Sequence, residues 1–172
     1  CMGALGFRLL RDAGLIHGLP SVPIHTMQII GFGRRMHIAL PPGAAVSRAD
    51  LDSHLAQAAI DAGVVFLCGC RAIVGAENRM ARHVELLPDD GDSAHATAKV
   101  VVVADGLGRS STSHIPEFAR RVSHGSRVGG SCWLQEYPRE LRPGVVHMVV
   151  GRAGYIGLVV VPGDKLNVAA AL

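Results

Sequence analysis

Aromatic residues are scarce: four Phe, two Tyr and one Trp make up 4% of the 172 residues. Lysine is scarcer still, with Lys99 and Lys165 the only two, and the arginines are scattered rather than gathered in a stripe. Nucleic-acid surfaces interleave aromatics with clustered cations, and a net charge of +3, from 17 Lys and Arg against 14 Asp and Glu, is too mild to replace that pattern. No apolar run approaches the roughly 18 residues of a membrane span. The start, Cys1-Met2-Gly3, has no basic region followed by an apolar one, as a secretion signal would. The composition thus points away from nucleic acid and from a transmembrane segment.

Several chemistries lack their residues. There is no G-x-S-x-G elbow for an α/β-hydrolase and no G-x-x-x-x-G-K-[ST] phosphate loop. The nine histidines are dispersed and form no H-E-x-x-H pair. Cys68-Gly-Cys70 fits neither zinc nor redox spacing, so no metal site is expected. Cys1, Cys68, Cys70 and Cys132 read as reduced, partly buried thiols of a cytoplasmic protein.

What is present suits a folded domain. Apolar residues reach 49% and charged residues 18%, enough for a core and unlike a disordered chain. The first residue is Cys rather than Met, and Leu166 to Leu172 form an apolar stretch without a closing cap. Both ends read as cuts in a longer protein.

The organising stretch is Lys99 to Ser111. Val100 to Val103 form a continuous apolar run, which predicts a strand buried on both faces. It stops at Ala104-Asp105-Gly106-Leu107-Gly108, where glycines permit a tight turn and close approach to a ligand. Open α/β sheets bind ligands beyond the carboxyl ends of such strands. An ordinary core strand with an Asp-Gly turn is the alternative.

Earlier, Leu5 to Gly14 predicts a short amphipathic helix with apolar residues Leu5, Leu9, Leu10 and Ala13 and Gly14 as its stop. Ile24 to Ile30 and Met36 to Leu40 predict a hairpin or a pair of strands, followed by a loop at Pro41-Pro42-Gly43. Ser47 predicts an N-cap, with Asp50 and Asp52 in the first turn and Gly63 ending the helix. Leu51, Leu55, Ala58, Ala59 and Ala62 form its apolar face. Arg48 stands beside that helix N-terminus, a ready anion site; a solvated surface arginine is the other reading. Val64 to Leu67, Cys70 to Ile73 and Arg82 to Leu87 predict strands, with an acidic turn at Pro88 to Asp92. Glu117 to Val122 reads as a helical turn, and Ser131 to Tyr137, Val145 to Val150 and Tyr155 to Val161 as strands. The order predicts an α/β domain in which a β-meander feeds a parallel sheet. A β-rich part begins near residue 113.

Three pieces, Val46 to Gly63, Lys99 to Ser111 and Gly151 to Leu172, stand in a telling order. Together they resemble the flavin-dependent oxidoreductases of the p-hydroxybenzoate hydroxylase and geranylgeranyl reductase superfamily. Those proteins carry an Arg-x-x-(Leu/Phe)-Asp-x-x-Leu helix, an Ala-Asp-Gly motif ending a strand, and substrate-domain strands with a Gly-Tyr and a following Pro. The resemblance implies part of an FAD-binding, doubly wound (Rossmann-like) domain with a β-meander over 1–20 and 41–112. It implies part of a β-rich substrate domain over 21–40 and 113–172. FAD would be the cofactor and NAD(P)H the electron donor. Arg48 would approach the FAD pyrophosphate, Ala104, Asp105 and Gly106 would lie beside FAD, and Ala72 would lie near the adenine. Tyr155 and Leu158 match substrate-domain positions, with packing as their first role.

The implied parent is a monooxygenase or a double-bond reductase acting on a hydrophobic or aromatic small molecule, with no protein nucleophile required. The family's G-x-G-x-x-G and Gly-Asp-Ala motifs do not occur in these residues. The 172 residues alone are therefore expected to bind FAD poorly or not at all and to be inactive. A non-redox nucleotide-binding module and a β-rich interaction domain without a small-molecule site are the competing readings.

Overall fold

The computed structural model describes residues 1–77, 80–119 and 122–172. The chain is mixed α/β, with most of its regular structure in strands. It divides into two compact units: residues 1–64 with 127–172, and residues 65–126.

The first unit is a six-stranded mixed sheet with two helices, α1 (Ala4–Asp12) and α2 (Arg48–Asp61). Its strands are β1 (Val22–Gly31), β2 (Arg34–Ala45), β6 (Gly129–Leu134), β7 (Val145–Val150), β8 (Tyr155–Val161) and β9 (Lys165–Ala171). Their order is β2-β1-β7-β8-β9-β6. β1 and β7 run parallel, pairing Thr26 with Val145 through Gly31 with Val150; every other neighbour in this sheet is antiparallel. Ile24, Ala45, Val146, Val159 and Val161 form the core cluster, with Val22, Met27, Leu40 and Met148 packed around it.

Both helices end as their glycines predict. Gly14 at φ +73° and Gly63 at φ +88° adopt the left-handed conformation that L side chains resist. The Leu15 amide then returns to the Leu10 carbonyl, and the Val64 amide to that of Ala59. On α1, however, Leu5 and Leu9 are exposed, and the half-buried stripe is Gly6, Phe7 and Leu10. On α2, Leu51, His54, Leu55, Ala58 and Ala59 are half-buried, whereas Ala62 is exposed.

The hairpin forms, and its second strand runs through Pro41-Pro42-Gly43 rather than stopping at a loop. Two features permit this. β2 is an edge strand, so a proline lacking an amide breaks no ladder on its outer side. The prolines also sit at a register irregularity, between the pairs Thr26–Ala39 and Ile24–Gly43. There the His25 and Thr26 amides both donate to the Gly144 carbonyl, at 3.0 and 3.3 Å. Gly144 is itself at φ +87°, and a Cβ there would meet His25 Nε2 at 2.5 Å.

The second unit is an antiparallel meander, β3 (Cys70–Glu77), β4 (Arg82–Pro88) and β5 (Ala94–Ala98), turning through Gly91 at φ +102°. The predicted meander is therefore present. The valine strand is not. The sheet ends at β5, and Val100 to Val103 lie in no ladder, with Val100 77% and Val102 83% exposed. Val64 to Leu67 likewise forms no strand and is exposed. A run of β-branched residues becomes a strand when neighbours supply a ladder and cover both faces. The three-stranded sheet supplies neither to these residues. Conversely, β9 arises from the apolar stretch Leu166 to Leu172, because β8 and β6 pair with it on both sides. Pro116–Phe118 forms a short 3-10 turn, and residues 120–121 of the predicted helical turn lie outside the described residues. Cys1, Cys68 and Cys132 are exposed and Cys70 is half-buried, so three of the four thiols are more open than expected. No helix among the described residues is long and apolar enough to cross a membrane.

One histidine is enclosed by the sheet. His147 on β7 is 8% exposed, and its Nδ1 lies 3.0 Å from Gln28 Oε1, so Nδ1 carries the proton. The Gln28 amide then donates to His37 Nε2 at 3.2 Å. His147 Nε2 is left buried without a partner. Burial, and secondly the neighbouring His37, hold the His147 pKa below the ordinary value.

Two outcomes follow. Leu166→Ala, at a side chain 2% exposed, should cost about 2–5 kcal/mol in denaturant unfolding, and Val102→Ala less than about 0.5 kcal/mol; equal costs would show the valine run to be core after all. A histidine held neutral in the fold, but free to charge when unfolded, lends stability that is complete above the unfolded pKa of about 6.5 and is lost as pH falls below it. His147→Leu should flatten that acid-side decline in a pH series of urea midpoints.

Candidate functional site

Two clefts collect the residues singled out by the sequence, one in each unit. In the first unit, Ser47 accepts a hydrogen bond from the Asp50 amide at 3.4 Å and opens α2. Arg48 is therefore the first helical residue. Its Nε donates to both oxygens of Asp52 one turn later, at 2.9 and 2.7 Å. The hydrogen bond and charge of Asp52 raise its already high pKa, and its side chain is 83% exposed. The two Nη groups make no hydrogen bond among the described residues. Arg48 lines an open cleft of about 360 Å³ together with Ser47, Ser131, Cys132, Trp133 and Asn167. A planar guanidinium with one edge held and the other unengaged suits paired phosphate or carboxylate oxygens.

In the second unit, the stretch after β5 ends in the corner Ala104-Asp105-Gly106. Asp105 Oδ2 accepts from the Ser111 amide and the Ser111 hydroxyl, each at 2.8 Å, and from the Ser110 hydroxyl at 3.5 Å. The Ser111 amide, then its hydroxyl, hold the Asp105 carboxyl below the usual aspartate range. Gly106 is at φ +71° and begins a 3-10 turn over Gly106–Gly108, and Arg109 follows in the left-handed region at φ +48°. The loop is stitched to β3: Ser111 O accepts from the Val74 amide, and His114 Nε2 donates to Val74 O, both at 2.9 Å. Ser111 and Thr112 are accordingly buried.

This corner borders a cleft of about 540 Å³ lined by Val103, Ala104, Asp105, Gly106, Arg109, Thr112 and Phe118. No atom lies within 4 Å of where a Gly106 Cβ would stand, so the corner is open on that side. The second unit thus brings Ala104, Asp105 and Gly106 together. Ala72 lies in the same unit on β3, opposite Leu86 and two residues before the stitched Val74. Arg48 belongs to the first unit.

Three residues were not singled out by the sequence. Arg109 has no motif to mark it; its left-handed backbone and place in the cleft are visible only in three dimensions. Trp133, the one tryptophan, carries no periodic signal, although its rarity could have drawn attention. Asn167, on β9, donates nothing to a recognisable pattern, yet its Oδ1 accepts from Trp133 Nε1 at 3.1 Å. Tyr155 is exposed at the start of β8, while Leu158 is half-buried between His147 and Val168. Among the described residues, no three His, Cys, Asp or Glu side chains gather as a metal site.

No family model and no curated protein matches the chain. Solved structures do match its fold. A flavoprotein/dehydrogenase from Cytophaga hutchinsonii aligns over 96% of this chain and 44% of its own, at TM-score 0.76 and 15% identity. The flavin-dependent brominase Bmp2 aligns over 100% of this chain and 45% of its own, at TM-score 0.81 and 15% identity. HpxO of Klebsiella pneumoniae, in complex with FAD and uric acid, aligns over 99% of this chain and 46% of its own, at TM-score 0.70 and 20% identity. The chain spans less than half the length of each, and over that span it has the fold found in these flavoproteins.

Proposed function

We propose that these residues form part of a flavin-dependent oxidoreductase acting on a hydrophobic or aromatic small molecule. The observation that carries the reading is a fold shared with flavin proteins over nearly the whole chain. Local geometry supports it. The Ala104-Asp105-Gly106 corner is open, is held by its own hydrogen bonds, and faces a cleft with one arginine and several apolar walls. Arg48 offers the unengaged side of its guanidinium beside a helix start. These features fit a cofactor that is aromatic, anionic and approached by backbone.

In this reading Arg48 pairs with the pyrophosphate of FAD, while Ala104, Asp105 and Gly106 lie against the cofactor and Ala72 lies near its adenine. Residues 1–20 and 41–112 contribute to cofactor binding, and 21–40 and 113–172 to the substrate side. The bound flavin supplies the redox chemistry, with NAD(P)H as donor. The protein positions, excludes water and sets charge. Asp105 keeps the turn closed, and because it stays ionised it presents a fixed acceptor to the cofactor. A cytoplasmic setting suits the free thiols.

Titration of FAD into the chain, followed by flavin fluorescence, tests the proposal. Binding should be weak yet saturable. Arg48→Ala and Asp105→Ala should each weaken it about tenfold, the scale of one charge-assisted hydrogen bond. Loss of neither, in folded variants, overturns the assignment. Equal binding of ADP and FAD would favour a non-redox nucleotide module, and ligand binding unchanged in both Arg48→Ala and Asp105→Ala would favour an interaction domain.

The Asp105 corner has its own test. By carbon-detected NMR its carboxyl should titrate below about 3.9, the ordinary aspartate value. Ser111→Ala removes the hydroxyl donor but keeps the amide, so the midpoint should rise part of the way. A carboxylate whose pKa is depressed by folding stabilises the fold above the unfolded pKa and loses that effect as pH falls through the folded one.

A further inference from the structure

Trp133 is the chain's only tryptophan, and it is 50% exposed on β6, an edge strand. A large aromatic left half in solvent forgoes much of the stabilisation that burial would provide. Yet its orientation is fixed. Its Nε1 donates to Asn167 Oδ1 at 3.1 Å across the β6–β9 ladder, where Trp133 and Asn167 are register partners. Lys165 Nζ stands 5.7 Å from the ring centroid, a cation–π distance. The indole lines two clefts at once. One, of about 140 Å³, also holds Lys165 and Asp50; the other, of about 360 Å³, holds Arg48, Ser131 and Asn167. A pinned, partly open, electron-rich ring thus shares a cleft with a guanidinium whose Nη groups are unengaged.

That pair has a definite chemical complement: an electron-poor planar ring carrying an anionic group. An isoalloxazine ring on a phosphorylated chain has both features, whereas adenine is the more electron-rich ring and matches a tryptophan face less well. We propose that Trp133 is a positioning residue against which the flavin ring rests, held by Asn167, with Arg48 taking the phosphate. The inference depends on the flavin reading above. Preorganisation is the physical gain: a ring already oriented loses little conformational freedom when a ligand stacks on it. The same cleft gives Ser131 and Cys132 a place beside the ligand, but neither is needed for stacking.

The sole tryptophan also reports the event. Flavin mononucleotide should quench Trp133 emission saturably and shift the flavin absorbance, whereas ADP should bind without comparable quenching. Riboflavin, which lacks the phosphate, should quench but bind more weakly. Trp133→Leu should lower affinity for the mononucleotide about tenfold and abolish the absorbance shift, and Trp133→Phe should restore most of both, since stacking is the interaction lost. Asn167→Ala should weaken binding less than Trp133→Leu and lower the extent of quenching. If the mononucleotide binds with Arg48 dependence while Trp133 emission and the Trp133→Leu affinity are unchanged, the stacking role falls and the flavin reading stands. If ADP quenches as strongly, the ring on Trp133 is adenine and the assignment is wrong. If flavin mononucleotide neither binds the wild-type chain nor quenches Trp133, the stacking role falls.

Discussion

The parallel pairing of β1 with β7 is the constraint on which the first unit rests. It joins two groups, β1–β2 and β7–β8–β9–β6, and the residues it pairs lie 119 positions apart in sequence, as Gln28 and His147 do. Six consecutive register pairs make the joint, and the Gln28–His147 hydrogen bond crosses it from the side chains. Chain closure over such a distance is entropically costly, so the joint must be rewarded by burial once made. The reward is visible. Ile24 and Val146, one from each group, meet in the core cluster with Val159 and Val161. Val159 and Val161 of that cluster also line the Arg48 cleft, beside Ser131 of β6 and Asn167 of β9.

The second unit solves a different problem. Its corner is stabilised locally, by a carboxylate that gathers three donors from residues five and six positions along the chain. Nothing distant is needed to close that loop. Among the described residues, distant hydrogen bonds enter where Ser111 and His114 dock on Val74. A turn built this way completes its hydrogen bonds without a ligand, which suits a backbone-lined binding corner. Both clefts are lined by an arginine, an aromatic ring and apolar side chains. Each offers charge, shape and aromatic surface, the contributions a cofactor enzyme makes around its cofactor.

Much of this was legible in the residues, and the reason differs by element. Ser47 and Gly63 announced α2 because caps are local signals, satisfied within one turn. Gly31 to Arg35 announced a hairpin for the same reason. The valine run misled because burial is not local: Val100 to Val103 carries strand propensity, but whether a ladder meets it is decided by the sheet, which ends at β5. Leu166 to Leu172 gave the opposite error, an unremarkable stretch made into β9 by partners on both sides. Pro41-Pro42 looked like a loop because proline lacks an amide, and an edge position makes that lack harmless. In the clefts, Arg48 and Asp105 were visible through motif and cap. Arg109, Trp133 and Asn167 were not, since each matters through a neighbour that the linear order does not reveal.

The two rims of the six-stranded sheet are not alike. Along β2, Arg34 and Arg35 guard one end with charge, Pro41 and Pro42 remove donors further on, and a bridge from Met2 engages Ala44. β6 runs Gly-Gly-Ser-Cys-Trp-Leu, with neither proline nor charge in it. Backbone donors and acceptors on the outer side of β6 are therefore masked by neither proline ring nor charge along the strand itself, whereas β2 is short of two donors. The sheet is thus polar from rim to rim, and its less guarded margin is also the one that carries the cleft.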